Sequence, residues 1–186
     1  ELPENDSLAD YAVSLGIKVI RGSDDNVLSR FILAEKLYPT DFSLRITADN
    51  PLLAFDYADA FIDFTVANDL DYSGITGLPL GMGFEFYRAS CLLNFENLKL
   101  SAQHYEHVTP YFYENPNIYK IANFIVNLPI LEQLRFLPRL TVDTEIDYKL
   151  MSKIYDTLYK NKPITTAEIL EFCLKNKEIC QINLDI

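Results

Sequence analysis

The sequence predicts an α/β layer fold with a mostly parallel sheet, and three observations carry that expectation. Short β-branched runs alternate with longer stretches whose apolar residues recur at helical spacing. The 186 residues are 49% hydrophobic and 23% charged, which suits one ordered domain, residues 1–186, with a substantial core. Two candidate strands run on into an aspartate, and ligands of such sheets bind beyond the carboxyl ends of the strands.

The elements follow in order. "IKVI" (17–20) reads as a strand. "DDNVLSRFILAEKLY" follows as a helix, with Val27, Phe31, Ala34 and Leu37 on one face and acids in the first turn. "SLRIT" (43–47) is the next strand, and 56–68 an amphipathic helix with Ala58, Phe61, Ile62 and Thr65 together. "DYSG" (71–74) is a short extended segment, and 78–83, with Pro79, Gly81 and Gly83, is a loop. Residues 87–95 and 101–113 read as helices, the second stopped at Asn115–Pro116. "IYKIANFIVN" (118–127) is the longest strand candidate, and "RLTVD" (139–143) another. A long helix is predicted over 145–159, and a last one over 166–176, entered through Thr165, Thr166 and Glu168. The opening "ELPENDSLADYAVSLG" reads as a loop and a helix rather than a first strand. We therefore expect an N-terminal strand unit to be missing from the chain.

Composition narrows the function classes. The net charge is −11, with 27 acids against 16 bases, so the surface repels nucleic-acid backbones. A small anionic substrate is still compatible, because a cation held by a few carboxylates reverses the local potential. No apolar run has the length of a membrane span and no signal peptide opens the chain, so neither a membrane nor a nucleic-acid partner is expected. Cys91, Cys173 and Cys180 are odd in number and form no CxxC pair, which fits a reducing cytoplasm.

The two aspartates are Asp49 in "TADNPL" and Asp143 in "TVDTEID". Carboxylates from two strands can share one Mg²⁺, which takes hard oxygen ligands and completes its shell with waters and substrate phosphates. The same residues also suit a turn starter before Asn50–Pro51 and a cap before the 145–159 helix. Spacing alone leaves both alternatives open.

A family resemblance adds to this. "VIRGSDDNVLSRF" (19–31), "RITADNPL" (45–52), "LDYSG" (70–74), "LPLGMGFEFY" (78–87), "EHVTPYFYENP" (106–116) and "RLTVDTEIDYKLM" (139–151) occur in order. Together they resemble the cytidylyltransferases of bacterial surface-sugar biosynthesis, closest to the spore-coat polysaccharide branch. The resemblance implies a Rossmann-like three-layer α/β/α sandwich. It also implies condensation of CTP with an acidic sugar, of the nonulosonic or 3-deoxy type, to CMP-sugar and pyrophosphate. In the family, the aspartates matching Asp49 and Asp143 bind catalytic Mg²⁺. The family opens with a strand and an Arg/Ser/Lys/Gly-rich loop around the CTP phosphates, which nothing here matches. About fifty residues, roughly one strand–helix–strand unit with an extra loop, are expected to be absent.

Further residues follow from the resemblance. Arg21, Gly22 and Ser23 match a segment near the nucleotide base, although Ser23 also suits a plain helix cap. Arg30 could grip a ligand carboxylate or a surface acid. His107 matches the acceptor-sugar pocket, and Glu85, in the glycine-containing loop, offers a carboxylate to sugar hydroxyls. His104, His107 and Glu106 fit neither zinc-protease spacing. "YFY" (111–113) suits either a homodimer surface or the core. A non-catalytic binding or scaffold module and a glycosyltransferase of similar fold stand as alternatives.

Overall fold

The computed structural model describes residues 3–134 and 136–184. In chain order the helices and strands are α1 (Asp6–Ser14), α2 (Val27–Leu37), β1 (Phe42–Arg45), α3 (Ala58–Ala67), β2 (Tyr72–Thr76), β3 (Glu85–Arg88), α4 (Ala89–Asn94), α5 (Ala102–His107) and α6 (Pro110–Glu114). These are followed by β4 (Phe124–Ile125), α7 (Ile130–Leu134), α8 (Glu145–Leu158), α9 (Thr166–Lys175) and α10 (Lys177–Cys180). Four strands form one sheet in the order β1-β3-β2-β4. The pair β2–β4 is parallel, with Ile75 opposite Phe124 and Thr76 opposite Ile125. Neighbours β2 and β3 are joined only by residues 77–84, too short for the crossover of a dozen or so residues that a parallel pair needs, so they run antiparallel. The sheet is mixed, which corrects the expectation of a mostly parallel one.

Several predicted elements are redrawn. "IKVI" is not a strand: Ile17 and Val19 are exposed and the segment pairs with no strand among the described residues. The buried stripe of α2 is Leu28, Ile32 and Glu35, one position on from the expected face, while Leu37 is exposed. Residues 85–88 form β3 ahead of a short α4, because Phe84 and Phe86 alternate inward about Glu85. The expected 101–113 helix is broken at Val108, whose φ of 72° ends α5, and Pro110 at the first helical position starts α6. Of "IYKIANFIVN" only Phe124–Ile125 pairs in the sheet. "RLTVD" contributes a single parallel bridge, Arg139 opposite Leu80. The 56–68 and 145–159 helices and the Thr165–Glu168 entry to α9 stand as expected.

The chain divides into two compact units, one running up to Ser43 with Tyr87–Ile121, the other Leu44–Phe86 with the chain from Ala122 onward. In the first, Asn26 caps α2 by accepting from the Ser29 N–H at 2.9 Å. The buried carboxylate of Glu35 accepts from the Tyr87 hydroxyl at 2.9 Å and the Thr40 hydroxyl at 3.1 Å, which offsets its burial. Phe112 is the centre of an aromatic core, 4.8 Å from Phe95 and 5.0 Å from Tyr119 between ring centroids. Within "YFY" only Tyr113 is exposed.

In the second unit, Phe61 of α3 is fully buried and meets Phe84, Phe86 and Phe124 edge-on, at 5.3, 6.2 and 5.9 Å. Burying one such ring stabilises by about 2–3 kcal/mol. Leu150, Met151 and Ile154 line the buried face of α8, which packs on α9, and α9 buries Ile169, Leu170, Phe172 and Cys173. Among the described residues no helix is long and apolar enough to cross a membrane.

Candidate active site

The loops that follow β1, precede β3 and lead into α8 all belong to the second unit and are pinned by main-chain hydrogen bonds. The Val142 N–H donates to the Asp49 carbonyl at 2.8 Å, Leu140 N–H to Leu80 at 2.8 Å, and Ala54 N–H to Met82 at 2.9 Å. Gly81, with φ of 90°, allows this approach: a Cβ there would lie 2.3 Å from the Leu140 carbonyl carbon.

Asp49 and Asp143 are therefore on adjoining segments, since Asp143 follows Val142 directly. Both are exposed. Neither terminates a buried strand. Asp49 lies past β1 in a turn that starts at Thr47, where the Asn50 N–H and side-chain amide donate back to the Thr47 carbonyl and hydroxyl at 3.1 and 2.9 Å. Nor does Asp143 cap α8. That role falls to Thr144, in a reciprocal box with Asp147.

Asp143 instead accepts from Arg139. Nη2 of Arg139 lies 2.6 Å from Asp143 Oδ2, and Nη1 lies 2.7 Å from Oδ1 of the fully buried Asp147. The other Asp147 oxygen accepts from the Asp143 and Thr144 N–H groups and the Thr144 hydroxyl, at 3.0, 2.8 and 2.9 Å. Asn183 completes the set, donating to Asp147 Oδ1 at 2.7 Å and to the Arg139 carbonyl at 3.0 Å. Burial works to raise the Asp147 pKa and is the largest single influence. The bonds from Asn183, Thr144 and the two main-chain N–H groups outweigh it and hold the carboxyl below the ordinary range.

A depressed carboxyl contributes stability that is fully present above its unfolded pKa, near pH 4, and is lost as pH falls through the folded value. Wild-type stability, measured by denaturant melts from pH 6 to pH 2, should fall more steeply below pH 4 than that of Asp147→Asn. Parallel curves would show that Asp147 does not carry the linkage.

Among the described residues no group of three or more His, Cys, Asp or Glu is arranged to hold a metal ion. The donor set at Asp49 and Asp143 is of a different kind: two solvent-facing carboxylates, hard oxygens on adjoining loops. Mg²⁺ takes hard oxygen donors of this kind and needs only one or two protein carboxylates when phosphates supply the rest.

Glu85, on β3, is half-buried and engaged. Its oxygens accept from Arg45 Nη1 and the Tyr72 hydroxyl, each at 2.5 Å. In the first unit, His107 is exposed at the last position of α5. Its neighbour His104 is held structurally. Nδ1 accepts from the Ser101 N–H at 3.1 Å, leaving Nε2–H to donate to Glu114 at 2.7 Å, so neither nitrogen is open to a metal. Arg21 and Gly22 line a cavity of about 360 Å³ in that unit, with Leu8 and Ala12 of α1 and Arg30 of α2. Arg21 pairs with Asp6 at 2.5 Å, and Arg30 donates to the Ser23 carbonyl at 2.7 Å. Ser23 is exposed, does not line the cavity and does not cap α2.

The sequence reading missed Arg139, Asp147 and Asn183. The Thr-x-x-Asp spacing of the α8 box pointed to Asp147, but nothing local marks Asn183.

The fold matches that of a cytidylyltransferase from Leptospira borgpetersenii serovar Hardjo-bovis, with a TM-score of 0.86 over 98% of this chain and 76% of that one, at 24% identity. It is Rossmann-like. An uncharacterized protein of Methanocaldococcus jannaschii is 35% identical across 98% of this chain and 74% of its own length. The spore coat polysaccharide biosynthesis protein SpsF of Bacillus subtilis is 28% identical across 94% of this chain and 72% of its own. The cytidylyltransferase family model spans residues 4–179, taking in both aspartate loops and the Arg21–Ser23 segment, and the chain belongs to that family.

Proposed function

We propose that this cytidylyltransferase activates an acidic sugar, of the nonulosonic or 3-deoxy type, with CTP and Mg²⁺ in the cytoplasm, for surface polysaccharide biosynthesis. The spore coat polysaccharide role of the Bacillus relative supports the pathway class. The reading rests on one observation: the Val142 N–H to Asp49 carbonyl bond, which joins the segments bearing the two exposed carboxylates.

The sugar hydroxyl attacks the α-phosphorus of CTP in line and gives up its proton to solvent, the bond to the bridging oxygen breaks, and pyrophosphate leaves with that oxygen. Asp49 and Asp143 hold the Mg²⁺, which when bound offsets charge on the phosphate oxygens. Arg21 and Gly22 contact the nucleotide from the cavity they line, with Ser23 beside them. Within the second unit Glu85, oriented by Arg45 and Tyr72, contacts the acceptor; His107 is assigned to the acceptor by the family resemblance alone. A homodimer through the face bearing Tyr113 belongs to the same proposal.

A thermal-shift screen of full-length protein with the four nucleoside triphosphates, each with and without Mg²⁺, tests base and metal together. CTP with Mg²⁺ at about 100 times its Kd should stabilise by roughly 2.7 kcal/mol, a shift of about 5–10 °C for a chain of this size. Equal shifts with all four, or a CTP shift indifferent to Mg²⁺, would reject the assignment. Release of nucleoside diphosphate in place of pyrophosphate would make the protein a glycosyltransferase.

A further inference from the structure

We infer that Arg139 is a positioning residue for the metal site: it fixes the Asp143 carboxylate through one arm while the buried Asp147 and Asn183 hold the other end of the clamp. This rests on the reading of Asp143 as a metal ligand.

The geometry separates the two carboxylates by role. Asp147 has no exposed surface, and its oxygens accept from five donors: Arg139, Asn183, the Thr144 hydroxyl and two main-chain N–H groups. It cannot turn without breaking several of these bonds. Asp143 is half-exposed, and Arg139 reaches only its Oδ2. Oδ1 takes no hydrogen bond from the guanidinium, which leaves it available as a monodentate ligand oxygen. The guanidinium itself is largely buried, with 19% of its side chain exposed. Its planar fork spans two carboxylates at once, at 2.6 and 2.7 Å, which a lysine ammonium on a flexible stem does not reproduce.

Asn183 acts one step further out. Its amide donates both to Asp147 and to the Arg139 main chain, so it fixes the arginine at both ends. Turning the amide over would set its oxygen against a carboxylate and a carbonyl, so the orientation is determined. Groups that orient a ligating carboxylate typically change metal affinity 10–100-fold when altered.

The test is a double-mutant cycle on metal-free protein titrated with Mn²⁺, read by loss of the free-ion EPR signal, a measure independent of turnover. Arg139→Lys keeps the charge, so it isolates the fork from electrostatics. It should weaken Mn²⁺ binding about tenfold. In an Asp143→Asn background the same change should alter affinity less than about twofold, because the carboxylate it acts through is gone. A full tenfold effect that persists without Asp143, or no effect of Arg139→Lys where Asp143→Asn does weaken binding, would overturn the positioning role. If Asp143→Asn leaves Mn²⁺ binding unchanged, the metal reading itself fails. Should Arg139→Lys not fold by circular dichroism, Asn183→Ala carries the same cycle, with a severalfold loss expected that also vanishes without Asp143.

Discussion

In an intact version of the protein that carries the CTP-phosphate loop, Asp49→Asn should lower pyrophosphate release from CTP at least about 100-fold, the scale on which a major electrostatic contribution to a transition state is lost. The substitution is nearly isosteric and removes one formal charge. Its structural cost is small, because the bond that pins this loop uses the Asp49 main-chain carbonyl, which asparagine retains. The side chain itself is exposed. Melting temperature should therefore stay within about 2 °C of wild type, since surface changes of this kind usually lie within about 0.5 kcal/mol. The assay follows pyrophosphate with 3-deoxy-octulosonate and N-acetylneuraminate as acceptors. Release near the wild-type rate would remove Asp49 from the chemistry, whatever the fate of Asp143. A loss of both rate and stability would instead mean that the loop has come unpinned.

The sequence made some elements legible because their signal is local. Helix α9 announces itself by the box at Thr165 and Glu168, whereas the cap of α8 was expected at Asp143 and is Thr144, boxed with Asp147. Strand β3 was hidden because Phe84, Phe86 and Tyr87 serve a helical stripe as readily as a strand, and one of the two neighbours that decide between them is β1, distant in sequence. "IKVI" and "RLTVD" show the reverse error. Both have strand composition, but a strand also needs an edge to pair with, and composition does not report one. The one-residue displacement of the α2 stripe turns on Glu35, a charged residue that no apolar pattern includes. It is buried because Tyr87 and Thr40 satisfy its carboxylate.

The candidate site was legible to the extent that its chemistry sits in short motifs. The two aspartates stand out as carboxylates after candidate strands, and their segments do adjoin. What holds them was not legible. Arg139 lies at helical spacing from Asp143, yet that stretch is not helical, so the pair looked incidental. Asn183 reaches Asp147 across a separation that no local pattern encodes. His104 and His107 illustrate the opposite case. Two histidines close in sequence invite a metal reading, but the His104 ring is committed to its helix cap and to Glu114.

Gly81→Ala should destabilise the protein by about 3 kcal/mol or more, lowering the melting temperature by roughly 6–12 °C at this chain length. Two penalties add. The first is conformational, since φ of 90° lies where an L-residue is strained by about 1–2 kcal/mol. The second is steric: the new Cβ would sit 2.3 Å from the Leu140 carbonyl carbon and 2.5 Å from the Thr141 nitrogen, both main-chain atoms that cannot swing aside. The contact could be relieved only by separating loop 80–82 from 140–142, which stretches the Leu140 to Leu80 bond and shifts the segment carrying Asp143. Gly16→Ala is the control. Gly16 also has a positive φ, 76°, at the end of α1, but a Cβ there meets nothing within 4 Å. It should cost only the conformational share, about 1 kcal/mol. Equal losses at the two positions would show that the close approach of the loops contributes nothing, and with it the claim that Gly81 is what lets the aspartate segments meet.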